Sequence, residues 1–372
     1  MSLNLWRYPG LLKLIRRAYR VRGWYRERQP ASSAAGEHRS RFYEQVWREA
    51  AAQLGASVTV LGNDILEIRR GDARTRVRRN TTPLDDPVTV AVALYKPLAH
   101  RLLAQRELRV PIYLEFTLAA LDKANALIES MAGEWVVKPA RSSAGTGVTT
   151  GIRTATELAC AAAAAAAHGP NLLLEQQVEG DVFRLLYLDG QLLDAVMRKP
   201  PAVTGDGRSS IRELLRAENE ARLKAGPNVV ETPVSVDLDM SQTLRKQGLS
   251  LSSVPAEGTS VTLKRVINDN SAVGNIPAAG LLCKSVIDDG AAAAAAVGVR
   301  LAGVDVVTPD PGVPLSESGG VILEVNTPPG FQYHYQRQGG SCAIAAPILR
   351  SLLRPQPSFE AWPPEMNRVT RD

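Results

Sequence analysis

Two short apolar runs near the C-terminal end carry acidic side chains, and they constrain the fold more than any other feature. A loop rich in Pro, Gly and Ser separates these runs, which are AGVDVV (residues 302–307) and VILEVNTPPG (residues 321–330). Because side chains alternate between the two faces of a strand, the second run predicts Ile322, Glu324 and Asn326 on one face. Asp305 is expected on a neighbouring strand. The pattern therefore predicts two carboxylates and an amide close together on an apolar sheet.

Buried carboxylates need a compensating partner, and this narrows what the two strands can do. Burying an ionised carboxylate costs several kcal/mol unless a positive charge or hydrogen bonds offset it. Oxygen ligands that leave positions open to water suit Mg²⁺ bound to nucleotide phosphates. Ordinary edge charges paired with arginines are the alternative interpretation of Asp305 and Glu324, and spacing alone does not decide between the two.

A lysine and a glycine-rich loop follow one another in the middle of the chain. Lys138 lies near the end of the apolar strand EWVVKP, and the loop SSAGTGVTTG comes shortly after it. A lysine at a strand end and the backbone N–H groups of a flexible loop can both bind phosphate oxygens. The loop lacks the GxxxxGK(S/T) spacing of a P-loop, and Gly145 and Gly147 also fit a plain hairpin turn. Further on, Glu175 ends an apolar strand, where its carboxylate could accept from an adenine amino group.

The N-terminal region predicts a basic amphipathic arm. Residues 5–28 combine apolar and basic side chains at helical spacing. A helix docked on its own domain or on a second subunit is the simpler interpretation, and docking on a membrane surface or on a partner is the alternative. Residues 29–38, QPASSAAGEH, have no apolar periodicity and predict a linker.

The remaining pattern predicts mixed α and β structure. Helices are expected at 41–54, 96–108 and 117–132, and the pieces SVTVLG, DILEIRR, TRVRR and VTVAVAL are expected to be strands of a small α/β domain that ends near residue 93. The run ELACAAAAAAAH predicts a lightly packed helix on a mobile lobe, because alanine forms helices readily but has almost no side chain to pack. Asp189 and Gly190 predict a hairpin turn.

Charge and cysteine usage restrict the class of protein. The 44 Lys and Arg against 38 Asp and Glu give a net charge of +6, and much of the excess lies in the first forty residues, so nucleic-acid binding is not demanded. Cys160, Cys283 and Cys342 are far apart without metal-type spacing, which predicts a reducing, cytoplasmic compartment. No apolar run approaches the roughly 20 residues of a membrane-spanning helix, and the start does not fit a signal peptide.

Taken in this order and spacing, these elements resemble the ATP-grasp ligases, specifically the ATP-grasp portion of cyanophycin synthetase and of bifunctional glutathione synthetase. The resemblance runs from about Lys96 to about His334, some two thirds of the chain. It is carried by the strings VVKPARSSAGTGV, LLEQQVEGDVFRLLYLDG, GDGRSSIREL, QGLSLSSVPAEG, GVDVV and ILEVNTPPGF. The two strings GDGRSSIREL and QGLSLSSVPAEG narrow the match from the superfamily to this branch.

The resemblance implies an α/β (α+β) ATP-grasp fold, with two lobes enclosing the nucleotide and a small N-terminal α/β domain. The implied divisions are a basic arm and linker (1–38), the N-terminal domain (39–95), a central lobe that forms a lid (96–178), a C-terminal lobe with the metal site (179–354) and an irregular tail (355–372). Cyanophycin synthetase continues into a second ligase module that this sequence does not include, so polymer synthesis does not follow.

The resemblance also implies site residues. For the ATP phosphates these are Lys96 and Lys138 with the loop Gly145, Thr146 and Gly147; for adenine they are Glu175, Gln176 and Val178; for one or two Mg²⁺ ions, with Mn²⁺ able to substitute, they are Asp305, Glu324 and Asn326. Arg184 matches the family arginine four residues after Gly180, and Arg265 matches one near the reacting carboxylate. A positioning role is implied for both, and a surface ion pair is the alternative. Gly330 falls where the family's backbone N–H faces the acyl phosphate.

One position and one segment depart from the family pattern. Relatives place a ribose-binding acid two residues after Gly180, but that position is Val182 here and the acid is Asp181. The segment INDNSAVGN stands where relatives have a substrate loop, although its spacing is altered. The residues suspected there as substrate ligands are Asn268, Asn270 and Ser271.

The implied activity is ATP-dependent amide or peptide bond formation through an acyl phosphate, on an amino acid or small peptide. The implied assembly is a homo-oligomer such as a dimer. No Ser, His, Asp or Cys, His arrangement suggests covalent catalysis, and His334 is expected to be structural or exposed. The alternatives are an ATP-grasp kinase that stops at phosphate transfer, a nucleotide-binding regulatory protein without turnover, and nucleic-acid binding by the arm.

Overall fold

The computed structural model describes residues 9–27, 30–224, 230–231, 233–267 and 272–354. The helices in these ranges are α1 (Pro9–Glu27), α2 (Pro30–Gln53), α3 (Pro87–Leu94), α4 (Lys96–Ala104), α5 (Leu121–Ser130), α6 (Ala155–Ala165), α7 (Ile211–Lys224), α8 (Leu238–Lys246), α9 (Lys284–Val297), α10 (Leu315–Ser318), α11 (Gln332–Tyr335) and α12 (Ala345–Leu352). The strands are β1 (Ser57–Gly62), β2 (Ile65–Arg70), β3 (Ala73–Arg78), β4 (Tyr113–Phe116), β5 (Trp135–Pro139), β6 (Thr149–Ile152), β7 (Leu172–Gln176), β8 (Asp181–Leu188), β9 (Gln191–Arg198), β10 (Ala202–Thr204), β11 (Ser260–Thr262), β12 (Asn275–Pro277), β13 (Leu301–Thr308) and β14 (Val321–Asn326).

The N-terminal unit consists of α2 and the antiparallel sheet β1-β2-β3. It shares its core with the C-terminal end of the described chain, because Tyr43 and Trp47 on α2 pack in one cluster with Phe331 and with Leu349 of α12. The Trp47 indole N–H also donates to the Arg79 carbonyl at 2.7 Å. The small domain is thereby attached to the loop after β14, which carries the predicted site residue Gly330.

The central sheet has the order β4-β7-β5-β6 and is antiparallel throughout. Helix α6 packs against β5 and β6 of this sheet, and α1 packs against α6. Leu12 of α1 joins the same core cluster as Trp135 of β5 and Leu158 of α6. The basic arm is therefore docked on the central lobe of its own chain, which was the simpler interpretation of its sequence.

The alanine-rich helix α6 is fully packed, and the prediction of a lightly packed helix is wrong. Ala161, Ala162, Ala163 and Ala165 are each 0% exposed. The small side chains allow the backbone of α6 to approach both the sheet and α1 closely, so alanine density here marks a helix between two layers. Sequence periodicity could not show this, because a helix of alanines has no apolar face to distinguish.

Enlarging a buried alanine of α6 should therefore destabilise the protein. We expect Ala163→Leu to lower the free energy of unfolding by about 1–3 kcal/mol, because the added atoms overpack a filled core. Ala292→Leu is the matched control, since Ala292 is exposed on the similarly alanine-rich helix α9. Urea unfolding of both variants measures the difference, and equal stability of the two would contradict the packing of α6.

The larger sheet has the order β12-β9-β8-β13-β14, also antiparallel. Helices α4 and α9 pack on one face of it, over a core that includes Phe183, Val286 and Val304. The predicted hairpin turn at Asp189 and Gly190 is confirmed, since both residues have positive φ angles between β8 and β9. This sheet carries the strands β13 and β14 with the predicted metal ligands.

A smaller unit built from β10, β11, α7 and α8 has its own apolar cluster. It is tied to the central sheet by Asp239, which is 0% exposed. One carboxylate oxygen of Asp239 accepts from Thr150 N and Oγ1 at 2.9 and 2.7 Å, and the other accepts from the backbone N–H groups of Arg265 and Val266. This carboxylate thus fixes the chain next to Arg265, a predicted site residue.

Two predictions of local structure are wrong. The run VTVAVAL forms helix α3 instead of a strand, because Asp86 caps it by accepting from Val88 N and Thr89 N, and Pro87 occupies its first position. Residues 30–38 belong to α2 where a linker was expected, and α2 likewise begins at a proline.

Some predictions lie outside the described residues. These are the suspected ligands Asn268, Asn270 and Ser271, and the tail 355–372. Within the described part of the chain, no helix is long and apolar enough to span a bilayer.

Candidate active site

A cleft of about 340 Å³ lies between the central sheet and the larger sheet. Most of the predicted site residues meet there, although Lys96 and Glu324 are more than two hundred positions apart in the sequence. The cleft is lined by Lys96, Lys138, Gly145, Glu175, Gln176, Val178, Asp181, Arg265, Asp305 and Glu324. Arg184 and Asn326 both bond to Asp305. Thr146, Gly147 and Gly330 are not among the residues that line the cleft.

Lys138 and Glu175 form a buried ion pair on the floor of the central lobe. They lie on the adjacent strands β5 and β7, where Val136 pairs with Glu175, so the two side chains are diagonal neighbours. Lys138 Nζ is 2.6 Å from Glu175 Oε2, and the side chains are 6% and 1% exposed. The sequence predicted Glu175 as an adenine ligand. In the structure its carboxylate contacts Lys138, and the roles of Glu175 at adenine and of Lys138 at phosphate both stay predictions.

His100 is a residue of this region that the sequence interpretation missed. It is 0% exposed, with Nε2 3.1 Å from the Leu323 carbonyl and 3.5 Å from Glu175 Oε1. Burial lowers the pKa of His100, so the neutral ring contacts β7 of one sheet and β14 of the other. The sequence did contain a signal that places His100 beside Lys96, because residues four apart share a helix face.

Lys96 begins helix α4 and is only 4% exposed. Its Nζ lies 3.0 Å from Glu324 Oε1 and donates to the Ser142 carbonyl at 2.6 Å. Although burial alone would raise the pKa of Glu324, the nearby Lys96 and Lys138 lower it. Glu324 therefore stays ionised, and two lysines from different elements act on one carboxylate.

Asp305 and Glu324 are directly opposite one another on β13 and β14, which confirms the predicted neighbouring strands. Arg184 on β8 is bound to Asp305 through both carboxylate oxygens, with Nη2 to Oδ2 at 2.7 Å. Asn326 Nδ2 donates to the same Asp305 Oδ2 at 3.2 Å. Burial of Arg184 would by itself lower its pKa, but the nearby Asp305 carboxylate raises it above the usual value. This arginine therefore remains charged.

A bulge between Asp305 and Val306 corrects the predicted alternation of β14. Glu324 pairs with Asp305 but Ile322 pairs with Val306, which leaves Leu323 as an additional residue. Leu323 consequently lines the cleft beside Glu324, whereas Ile322 is 0% exposed in the core of the larger sheet. The predicted grouping of Ile322 with Glu324 and Asn326 is therefore wrong, because strict alternation does not hold across a bulge.

The described residues contain a donor set that fits Mg²⁺. Asp305 and Glu324 would supply carboxylate oxygens and Asn326 an amide oxygen, which are the ligand types that Mg²⁺ prefers. No group of three His, Cys, Asp or Glu side chains with metal-binding geometry occurs in the described part of the chain. Two carboxylates with one amide leave positions for water and phosphate oxygens, as expected for a metal that arrives with a nucleotide.

The glycine-rich loop folds as a tight turn over the cleft. Gly145 and Gly147 have positive φ angles, and Thr146 N donates to the Ser143 carbonyl at 3.1 Å. A Cβ on Gly147 would lie 2.8 Å from the His168 ring and 3.1 Å from Pro139 Cγ. Glycine is therefore required at position 147 for close packing, while Gly145 lines the cleft.

The segment between β7 and β8 connects the two sheets. A Cβ on Gly180 would lie 2.3 Å from the Thr308 backbone carbon, and its φ is +135°, so only glycine fits. This close approach keeps the segment against the end of β13. Arg265 contacts it through Glu179, and its other terminal nitrogen lies 2.5 Å from Glu134 Oε2. The sequence placed Arg265 near the reacting carboxylate but missed both acidic partners.

The loop after β14 is held by the N-terminal unit. Tyr43 donates its hydroxyl hydrogen to Gln332 Oε1 at 2.9 Å and accepts from the backbone N–H of Phe331 at 3.1 Å. A Cβ on Gly330 would lie 2.7 Å from Gln332 Nε2, so a side chain there would displace Gln332. Tyr43 was not identified from the sequence, since its partner Gln332 lies 289 positions away.

A second group of missed residues surrounds Tyr333. The guanidinium groups of Arg198 and Arg184 lie 4.1 and 5.3 Å from the Tyr333 ring centroid, and Arg198 also lines the cleft. Nearby, His334 is 0% exposed, with Nδ1 2.7 Å from Asp194 Oδ2. His334 is thus buried and paired, in line with the structural role expected for it.

Comparison with known proteins identifies relatives that match most of this chain in sequence. No protein-family model matches the chain. The chain is 29% identical over 293 residues to cyanophycin synthetase of Trichormus variabilis, which covers 78% of this chain and 32% of that protein. It is 28% identical over 295 residues to the glutathione biosynthesis bifunctional protein of Mannheimia succiniciproducens, covering 76% of this chain and 39% of that protein. The chain thus spans about a third of the length of the curated relatives it matches.

Among solved structures, a bifunctional glutathione synthetase from Pasteurella multocida matches with a TM-score of 0.51 and 22% identity, over 82% of this chain and 42% of that one. This likeness shows the fold. In this fold two sheets enclose a cleft, which Lys138 of the central sheet lines together with Asp305 and Glu324 of the larger sheet, and this agrees with the matches in sequence. On both grounds the chain belongs to the ATP-grasp superfamily.

Proposed function

We propose that this protein is an ATP-dependent carboxylate–amine ligase that forms an amide or peptide bond through an acyl phosphate. One observation carries the proposal: Lys96 and Lys138 line a single cleft with the carboxylates of Asp305 and Glu324. Such an arrangement suits a polyphosphate and its divalent ion, because the cations neutralise phosphate oxygens while the carboxylates hold the metal. The cytoplasmic location and homo-oligomeric assembly expected from the sequence belong to the same proposal.

In the proposed reaction the substrate carboxylate attacks the γ-phosphorus of ATP, and the bond from that phosphorus to the ADP oxygen breaks. Lys138 and Lys96 offset the negative charge on the transferring phosphoryl group. Mg²⁺ held by Asp305, Glu324 and Asn326 would add positive charge at the same oxygens. Positioning and electrostatics supply most of the catalysis in phosphoryl transfer, so no covalent nucleophile is needed.

The second step joins the amine to the activated acid. The amine nitrogen attacks the carbonyl carbon of the acyl phosphate, phosphate leaves, and the nitrogen loses a proton. The backbone N–H of Gly330 is proposed to face the developing oxyanion, and Arg184 and Arg265 to position the carboxylate. Adenine would lie against Gln176 and Val178, near Glu175, with Asp181 by the ribose and the loop of Gly145, Thr146 and Gly147 over the phosphates.

A substrate screen tests this function. ADP release should rise well above the ATPase background for one pairing of amino acids or short peptides, and mass spectrometry should find a product equal to the two substrates minus one water. A stable phosphorylated product without an amide would favour a kinase instead. ATP binding without substrate-dependent ADP release across the whole screen would favour a regulatory protein.

A further inference from the structure

Helix α1 has a second apolar face that points away from the protein. Its inner face is covered, because Leu12 is 4% exposed and Ile15 packs against the same cluster on the central lobe. On the outer face Leu11, Leu14 and Val21 are 39%, 64% and 49% exposed. Their spacing places them, with the exposed Ala18, along one side of the helix. Eleven large hydrophobic residues are exposed in the described chain, and three of them lie within residues 11–21.

A basic stripe runs beside this apolar stripe. Lys13, Arg17 and Arg20 are exposed, and together with Val21 they border one shallow groove. Within the described part of the chain, none of the three forms an ion pair with a carboxylate. The sequence of α1 contains six basic residues and one acid, a net charge of +5, compared with +6 for the whole chain. Almost all of the excess positive charge of the protein is thus placed on this one helix.

We propose that the outer face of α1 docks on an anionic lipid surface. A helix with adjacent apolar and basic stripes can lie in the plane of a bilayer, with its apolar side chains among the acyl chains and its basic side chains at the headgroups. Leu14 and Val21 would enter the apolar layer, and Arg17 and Arg20 would reach the headgroups.

Other occupants fit this face less well. A second copy of the chain would bring a net charge of +5 against an equal charge, so pairing of two α1 helices is opposed by repulsion. A nucleic acid would satisfy the arginines but would leave Leu11, Leu14 and Val21 against phosphates or water. A lipid surface uses both stripes. Because α1 is anchored to α6 through its inner face, docking does not require the helix to leave the protein.

Sedimentation of the full chain with lipid vesicles tests the proposal. The protein should pellet with vesicles of equal parts phosphatidylcholine and phosphatidylglycerol, and stay in solution with phosphatidylcholine alone. Two double variants should each weaken the binding at least about tenfold: Leu14→Asn with Val21→Asn, and Arg17→Glu with Arg20→Glu. The first removes the apolar contribution and the second removes the electrostatic one. The matched controls, Leu281→Asn and Arg70→Glu with Arg74→Glu, change exposed side chains elsewhere and should bind like the wild type.

Two outcomes would overturn the proposal. One is a wild-type chain that stays in solution with the anionic vesicles. The other is unchanged binding by the Leu14 and Val21 double variant, which would show a purely electrostatic contact such as one made to nucleic acid or an acidic protein. Circular dichroism and the melting temperature confirm that each variant is folded, and ligase activity measured without vesicles should not change, since α1 lies outside the cleft.

Discussion

Replacing Glu324 by Gln together with Asn326 by Ala should slow substrate-dependent ADP release by about 10³-fold, because the metal would lose two of its three proposed protein ligands. The fold should remain, because Gln keeps the size of Glu324, Lys96 still donates to the Ser142 carbonyl and Asp305 keeps its pairing with Arg184, and the melting temperature of the variant checks this. Steady-state ADP release, measured with saturating Mg²⁺, gives the effect directly.

Glu317→Gln serves as the matched control for this variant. It removes a carboxylate that is exposed on α10, just before β14, and should leave the rate unchanged. If the Glu324 and Asn326 double variant turned over as fast as this control, the metal assignment would be wrong.

Lys138→Met should have two separable effects. It leaves the Glu175 carboxylate buried without its lysine, which we expect to cost about 3–5 kcal/mol of the free energy of unfolding. It also removes a proposed phosphate ligand. Changing Glu175→Met in addition should recover most of the lost stability, because a buried ion pair can be replaced by apolar side chains of similar size. ADP release should stay low in the double variant.

Comparing the Lys138→Met variant with the double variant separates the effect of Lys138 on stability from its effect on ADP release. Lys284→Met provides the control, since its ion pair with Asp288 lies on the exposed face of α9 and its loss should change neither property. A double variant that regained both stability and normal ADP release would show that Lys138 serves only to balance Glu175.

The strands of the site could be predicted because their chemistry is local. Acids within apolar runs identified Asp305 and Glu324, and the structure places them opposite one another. Lys138 was recognisable as a charge near the end of a buried strand. The order and spacing of these elements then indicated the ATP-grasp fold. The proposed roles of these residues remain predictions that the variants above test.

Much of the rest depends on contacts between distant parts of the chain. Periodicity could not reveal that Lys138 pairs with Glu175 or that Arg184 binds Asp305, since these pairs are set by strand order. Local signals were also overlooked. Asp86 and Pro87 together form a helix start, which should have outweighed the β-branched composition of the residues that follow.

The central claim is that this cleft binds a nucleotide polyphosphate together with its metal ion. Calorimetric titration with a non-hydrolysable ATP analogue, in Mg²⁺ and then in EDTA, tests it most directly. The account predicts that the wild type binds the analogue on the order of 100-fold more tightly with Mg²⁺, and that the Glu324→Gln, Asn326→Ala variant loses this gain. Equal affinity of the wild type in Mg²⁺ and EDTA, or an undiminished gain in the variant, would contradict it.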